Sequence, residues 1–224
     1  MTRYAIYYAP RPEEDLARFG ECWLNADPAL RTPAFSIAEL REITAEPRRY
    51  GFHGTLKSPF ALAEGTTERE LANAVASFAR QQPSFVIPSL TLAFVGTFIA
   101  LIPEERVPAL DSLAADCVRF FDRFREPPPE SELARRRRAG LTPRQEEMLT
   151  RWGYPHVFEE FRFHLTLTGK LNDEMRTAVM EMLMPLTAHF WRVPVPVRDL
   201  TIFIEDSAGA PFRVLARYPL AGAG

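Results

Sequence analysis

With 224 residues, of which 46% are hydrophobic and 25% charged, the chain has the make-up of a globular protein with a sizeable core. A formal net charge of −2 argues against nucleic-acid binding by bulk charge, although it leaves room for a local basic cleft. Cys22 and Cys117 are too few and too far apart for a disulfide framework or a metal knuckle, which fits a reducing cytoplasm. The segment from Met1 to Ile6 lacks the basic flank and apolar run of a signal peptide, and no apolar run is long enough to span a bilayer. The expectation is a cytoplasmic protein with no membrane partner.

Tyr4 to Ala9 is apolar and aromatic and reads as a buried strand ending at Pro10. Glu13-Glu14-Asp15 suits a helix N-terminus, and that helix runs to about Leu24. Asp27-Pro28 and Thr32-Pro33 mark loop. Ser36, with Glu39 three residues on, makes a capping box for a helix through about Ile43. A strand limited by Pro59 follows. Thr66 or Thr67 opens a helix whose apolar face is Leu71, Val75 and Phe78, ending near Gln82-Pro83. Strands are expected over 85–95 and 97–102, with Gly96 at the turn. A helix then runs from about Pro108 to Phe124, a strand from Phe161 to Thr168, and a helix capped by Asn172 or Asp173 to about Phe190. Strands near 193–204 and 212–218 close the chain.

The order strand, helix, strand, helix, strand, strand thus occurs twice, which reads as an internal duplication about a pseudo-two-fold axis. The fold class expected is α+β: a single domain over 1–224 with two lobes, roughly 1–96 and 97–224. An insertion at about 125–153 breaks the symmetry. It carries the run from Arg135 to Arg138, read as a solvated helix face or loop, and a helix opened by Thr142-Pro143. Whether it forms a lid or packs on an edge is left open by the sequence.

Equivalent places in the two halves hold Phe52-His53-Gly54-Thr55-Leu56 and Phe163-His164-Leu165-Thr166-Leu167, which contain two of only four histidines. Side chains alternate along a strand, so His53 and Thr55 share one face while Phe52 and Leu56 share the other. His164 and Thr166 follow the same rule. A lone His on a strand is usually structural, and His156 and His189 lack the repeated pattern. Two copies in register with a repeat fit paired general acid–base cleavage of a phosphoester. Imidazole titrates near neutrality, so one ring can accept a proton while a cationic neighbour donates one. Thr55 and Thr166 can donate hydrogen bonds to phosphate oxygens. By alternation Lys57 joins the face of His53, and Arg162 and Thr168 that of His164. Lys57 and Arg162 are candidates for holding phosphate, with rim salt bridges the alternative. Tyr154 is a candidate for stacking on a base or sugar, with packing the alternative. Tyr8 reads as core, on the side of Tyr4 and Ile6.

The pair His53-x-Thr55 and His164-x-Thr166 resembles the two-histidine (2H) phosphoesterase superfamily, which includes 2′-5′ RNA ligase-like proteins and cyclic phosphodiesterases. The flanks Arg49-Tyr50-Gly51-Phe52-His53 and Trp152-Gly153-Tyr154-Pro155 are similar to a bacterial branch linked with phosphonate metabolism. The resemblance implies a phosphodiesterase without metal or cofactor, in which mainly antiparallel sheets line a central cleft that carries both histidines, with helices outside. It implies a small cyclic phosphate or nucleotide as substrate, and in that branch a ribose cyclic phosphate. An RNA-end-binding or RNA-joining module is the alternative, expected to bind RNA in a salt-sensitive way. A metal-dependent hydrolase is disfavoured, since neither motif contains a carboxylate and no His-x-His, His-x-x-x-His or Cys-x-x-Cys spacing occurs.

Overall fold

The computed structural model describes residues 1–30, 34–138 and 140–222. In chain order the elements are β1 (Arg3–Tyr8), α1 (Asp15–Leu24), α2 (Ile37–Ile43), α3 (Ala45–Tyr50) and β2 (Gly54–Phe60). Then come α4 (Glu68–Ala79), β3 (Phe85–Ile87), β4 (Leu90–Val95), β5 (Phe98–Pro103) and α5 (Pro108–Phe121). After α6 (Glu130–Arg137) and α7 (Pro143–Trp152) follow β6 (Leu165–Thr166), α8 (Asp173–Thr187), β7 (Val195–Val197), β8 (Asp199–Glu205) and β9 (Arg213–Pro219). The Thr32-Pro33 loop expected from the sequence lies outside the described residues.

Several helix starts follow directly from their caps. Ser36 and Thr67 form the capping boxes of α2 and α4 with Glu39 and Glu70, and Thr142 pairs with Gln145 at α7. Asn172 caps α8. Helix α3 was not expected. Its Pro47 falls in the first turn, where a missing N–H costs no hydrogen bond. The strands expected over 85–95 and 193–204 each divide in two, at Pro88-Ser89 and at Arg198. The strand expected from Phe161 to Thr168 shrinks to two paired residues.

Seven strands form one antiparallel sheet in the order β4-β5-β6-β2-β1-β8-β9, and β3 pairs with β7 in a second sheet. The duplication is visible in that order. Matching β1 with β5, β2 with β6 and β4 with β8 makes the first six strands read alike from either end, and β3–β7 maps onto itself. The axis passes between β2 and β6, the two histidine strands. Each half lends one strand, β4 or β8, to the other half's β5 or β1, which locks the halves together.

Strand β1 shows how the core is divided. Tyr4, Ile6 and Tyr8 enter the main cluster with Leu71 and Val75 of α4, Leu113 and Phe121 of α5, and Leu183 of α8. Ala5, Tyr7 and Ala9 face the other way and pack with Phe203, Phe212 and Tyr50. Tyr8 is therefore core, as its alternation indicated. Helix α1 is tied to the second histidine strand, for Trp23 Nε1 donates to the Leu167 carbonyl at 2.7 Å. It also lies tight against Phe52: a Cβ on Gly20 would stand 2.2 Å from that ring. No helix among the described residues is long and apolar enough to cross a membrane.

Candidate active site

His53 immediately precedes β2 and His164 immediately precedes β6. These strands are antiparallel neighbours, with Gly54 opposite Leu165. Continued one residue each way, that register sets His53 opposite Thr166 and Thr55 opposite His164. The histidines are then a diagonal pair, whose positions lie roughly 7–8 Å apart in an antiparallel ladder. All four side chains line one cleft of about 300 Å³.

Both rings are fixed in the same way. His53 Nδ1 lies 2.9 Å from the Gly51 carbonyl oxygen, and His164 Nδ1 lies 2.7 Å from that of Arg162. A carbonyl only accepts, so each Nδ1 carries a proton and donates. Each Nε2 is then the unprotonated nitrogen of the neutral ring. For His53 it lies 3.2 Å from Thr55 Oγ1, whose hydroxyl donates to it. The His53 ring also stacks on Tyr7 at 3.7 Å between centroids and 18° between planes. His164 has Phe98 beside it at 5.6 Å.

Burial in these aromatic surroundings pushes the His53 imidazole down to about 4. The Gly51 carbonyl opposes that fall, and the charge of His164 adds to it. His164 is likewise lowered by burial, with the Arg162 carbonyl opposing and His156 adding. The sequence led to a neutral ring beside a cationic one at neutral pH. In the free protein both rings instead favour the neutral form, because desolvation acts on each of them and not only through their mutual repulsion.

Lys57 does not reach the cleft. Tyr7 pairs with Thr55 but Ile6 pairs with Lys57, so Leu56 is an extra residue in β2, a β-bulge. The bulge turns Leu56 and Lys57 both towards the helix-covered face, and Ser58 takes the next place in the cleft. Lys57 is only 3% exposed, and its Nζ donates to the Val118 carbonyl at 3.2 Å and to Asp122 Oδ1 at 3.3 Å. Burial lowers its pKa to about 8, with Asp122 opposing. Asp122 keeps Arg125 as a second partner. Lys57→Met is therefore expected to leave kcat/KM unaltered and stability at pH 7 no lower, since a buried charge is exchanged for a chain of similar volume. A large loss of kcat/KM, with thermal unfolding unchanged, would return Lys57 to the site.

Arg162 is exposed, and its Nη1 donates to the carbonyls of Glu159 and Phe161. It lines a second cavity of about 450 Å³ beyond His164 and not the cleft itself. Tyr154 lines both, under the guanidinium of Arg136 at 4.9 Å. Thr168 lines the cleft but is buried, accepting from Ile99 N–H and donating to the Gly169 carbonyl. The second cavity is more apolar, with Phe98, Phe158 and Phe161 in its wall and His156 at its edge. Arg3, Tyr7, Tyr50, Arg135, Arg136 and Lys170 line the cleft without having been singled out as site residues from the sequence. The alternation of β1 held a signal for Arg3 and Tyr7, which lie on the face opposite Tyr4, Ile6 and Tyr8. Among the described residues, no group of three or more His, Cys, Asp or Glu side chains is placed to hold a metal ion.

The duplicated antiparallel sheet thus brings two His-x-Thr pairs into one cleft. The chain belongs to the family described as a protein of unknown function, DUF1045, whose model matches residues 55–213. It is 38% identical over 235 residues to a Janthinobacterium sp. (strain Marseille) protein named ribose 1,5-bisphosphate phosphokinase PhnN, covering 100% of this chain and 52% of that protein. A Laribacter hongkongensis (strain HLHK9) protein of the same name is 35% identical over 218 residues, covering 95% and 50%. The chain thus spans about half the length of the curated relatives it matches. Solved structures similar to it include E. coli LigT complexed with NADP+, at a TM-score of 0.46 and 16% identity over 98% of each chain. LigT in apo form gives 0.46 and 17% over 99% of each.

Proposed function

We propose that the protein is a phosphodiesterase that opens a cyclic phosphate or related phosphodiester by paired-histidine acid–base catalysis, with no metal ion. The observation that carries this is the matched pinning of both Nδ1–H groups to backbone carbonyls, which leaves two Nε2 atoms in one cleft beside two threonines. His53, the ring burial holds down to about 4, acts as base. Its Nε2 takes a proton from water as the water oxygen bonds to phosphorus. The bond from phosphorus to the leaving oxygen breaks, and His164 in its cationic form gives that oxygen the Nε2 proton. Thr55, whose hydroxyl turns from His53 Nε2 to the substrate, and Thr166 donate to the non-bridging oxygens, where charge accumulates.

The relatives' name points to phosphorylated ribose, and with it to a ribose cyclic phosphate in phosphonate breakdown as the substrate class. Their kinase reaction calls for a phosphate cradle for ATP. No Gly-x-x-x-x-Gly-Lys-Ser/Thr run occurs in this chain, and we place that reaction in the part of the relatives it does not span. The aromatic cavity beyond His164 favours a second substrate, a nucleotide or RNA end with a 2′,3′-cyclic phosphate whose base stacks there. Turnover of ribose 1,2-cyclic phosphate and of 2′,3′-cyclic nucleotides in EDTA decides between them. Activity lost in EDTA and restored by a divalent cation would refute the proposal.

The pH profile follows from the two shifts. A base works above its pKa and an acid below its own, so the productive form of the free enzyme peaks between them. Here kcat/KM should rise through about 4 and fall before the ordinary imidazole value of 6.5 is passed. The kcat profile should lie higher, because a bound phosphodiester anion stabilises imidazolium. A kcat/KM maximum well above neutrality would contradict the assignment.

A further inference from the structure

The cleft holds more positive charge than one cyclic phosphodiester needs. Arg3, Arg135, Arg136 and Lys170 line it, against the carboxylate of Glu46. Behind them two carboxylates are each shared by two guanidinium groups. Buried Glu205 takes Arg3 and Arg49, and Glu132 takes Arg136 at 2.6 Å while Arg135 stands off at 3.7 Å. Five cations thus meet three carboxylates. The Arg135 side chain is 59% exposed with no other ion pair among the described residues. The Arg136 guanidinium stands over the Tyr154 ring at 4.9 Å, and its buried Nε has no hydrogen-bond partner among the described residues. Both come from α6, the insertion that breaks the duplication. A cyclic phosphodiester carries one negative charge, which an imidazolium and two hydroxyls already meet.

We propose that Arg135 and Arg136 form a second anion subsite, so that the preferred substrate is a cyclic phosphodiester that also bears a phosphate monoester. Guanidinium forks suit the oxygens of a monoester dianion, and a cleft of about 300 Å³ takes a molecule of sugar-bisphosphate size. This rests on the phosphodiesterase proposal above. The test is the ratio of kcat/KM for a ribose cyclic phosphate with a 5-phosphate to that without, in wild type, Arg135→Met and Arg136→Met. We expect a wild-type ratio above about ten, the equivalent of one charge-assisted contact of roughly 1.4 kcal/mol. In either variant the ratio should fall towards one, chiefly through KM. Arg135 is an exposed side chain, so its variant keeps the test open if the Arg136 variant does not fold. A wild-type ratio near one, or a ratio unchanged in Arg135→Met, overturns the subsite. Turnover of the substrate without the 5-phosphate, lost in His53→Ala, would show that the paired-histidine site stands even so.

Discussion

His53→Ala is expected to lower kcat on a cyclic phosphodiester by about 10²–10⁴-fold, the usual contribution of a positioned general acid or base. His164→Ala should cost a similar factor. The two are halves of one proton relay, so the double variant should be little worse than either single one. Steady-state kinetics on the three proteins measures this, with thermal unfolding as the control for the lost stacking of His53 on Tyr7. The variants should also differ in pH dependence. His53→Ala should lose the acid limb near 4, whereas His164→Ala should lose the limb above it. Near-normal turnover by His53→Ala would remove the base from the mechanism.

The second large effect is structural and lies one residue away. Gly54 sits between His53 and Thr55, opposite Leu165, and a Cβ there would stand 2.2 Å from Cε2 and 2.5 Å from Cζ of Phe163. Phe163 is 6% exposed and packs on Tyr8, so its ring has nowhere to retreat. Gly54→Ala is expected to cost about 1–3 kcal/mol, the usual range for overpacking a filled core. For a chain of this length that is a fall in Tm of about 2–4 °C per kcal/mol. Phe163 is the residue before His164, so kcat should fall as well. An unchanged Tm with full activity would mean that the two motif strands are not pressed together as described. The middle residue of His-x-Thr thus differs between the halves for a steric reason: Leu165 fills the core where Gly54 must leave room for Phe163.

Much of this candidate site is legible in the sequence. The His-x-Thr pairs stood out because alternation is a local property, and their equivalence followed from counting elements in each half. Capping boxes at Ser36 and Thr67 were equally local. What escaped depended on neighbouring chain. The bulge at Leu56 exists only relative to β1, so nothing in Thr55-Leu56-Lys57-Ser58 announces that Lys57 leaves the face of His53. Strand β6 pairs over two residues because Leu167 and Thr168 both turn their N–H groups to the Ile99 carbonyl, a distortion set by β5. The arginines of α6 read as a solvated face, since their place over the cleft depends on how the insertion folds back. The depressed pKa of His53 comes from Tyr7 and its surroundings, which belong to a different strand.

The most direct test of the central claim is hydrolysis in ¹⁸O-labelled water with EDTA present, followed by phosphorus NMR. The substrates are ribose 1,2-cyclic phosphate and a 2′,3′-cyclic nucleotide. Attack by water on phosphorus, with the imidazoles moving the protons, predicts a phosphate monoester carrying one ¹⁸O, formed by wild type and about 10²–10⁴-fold more slowly by His164→Ala. Failure to open either ring, or the same labelled product at the same rate from His164→Ala, would contradict it.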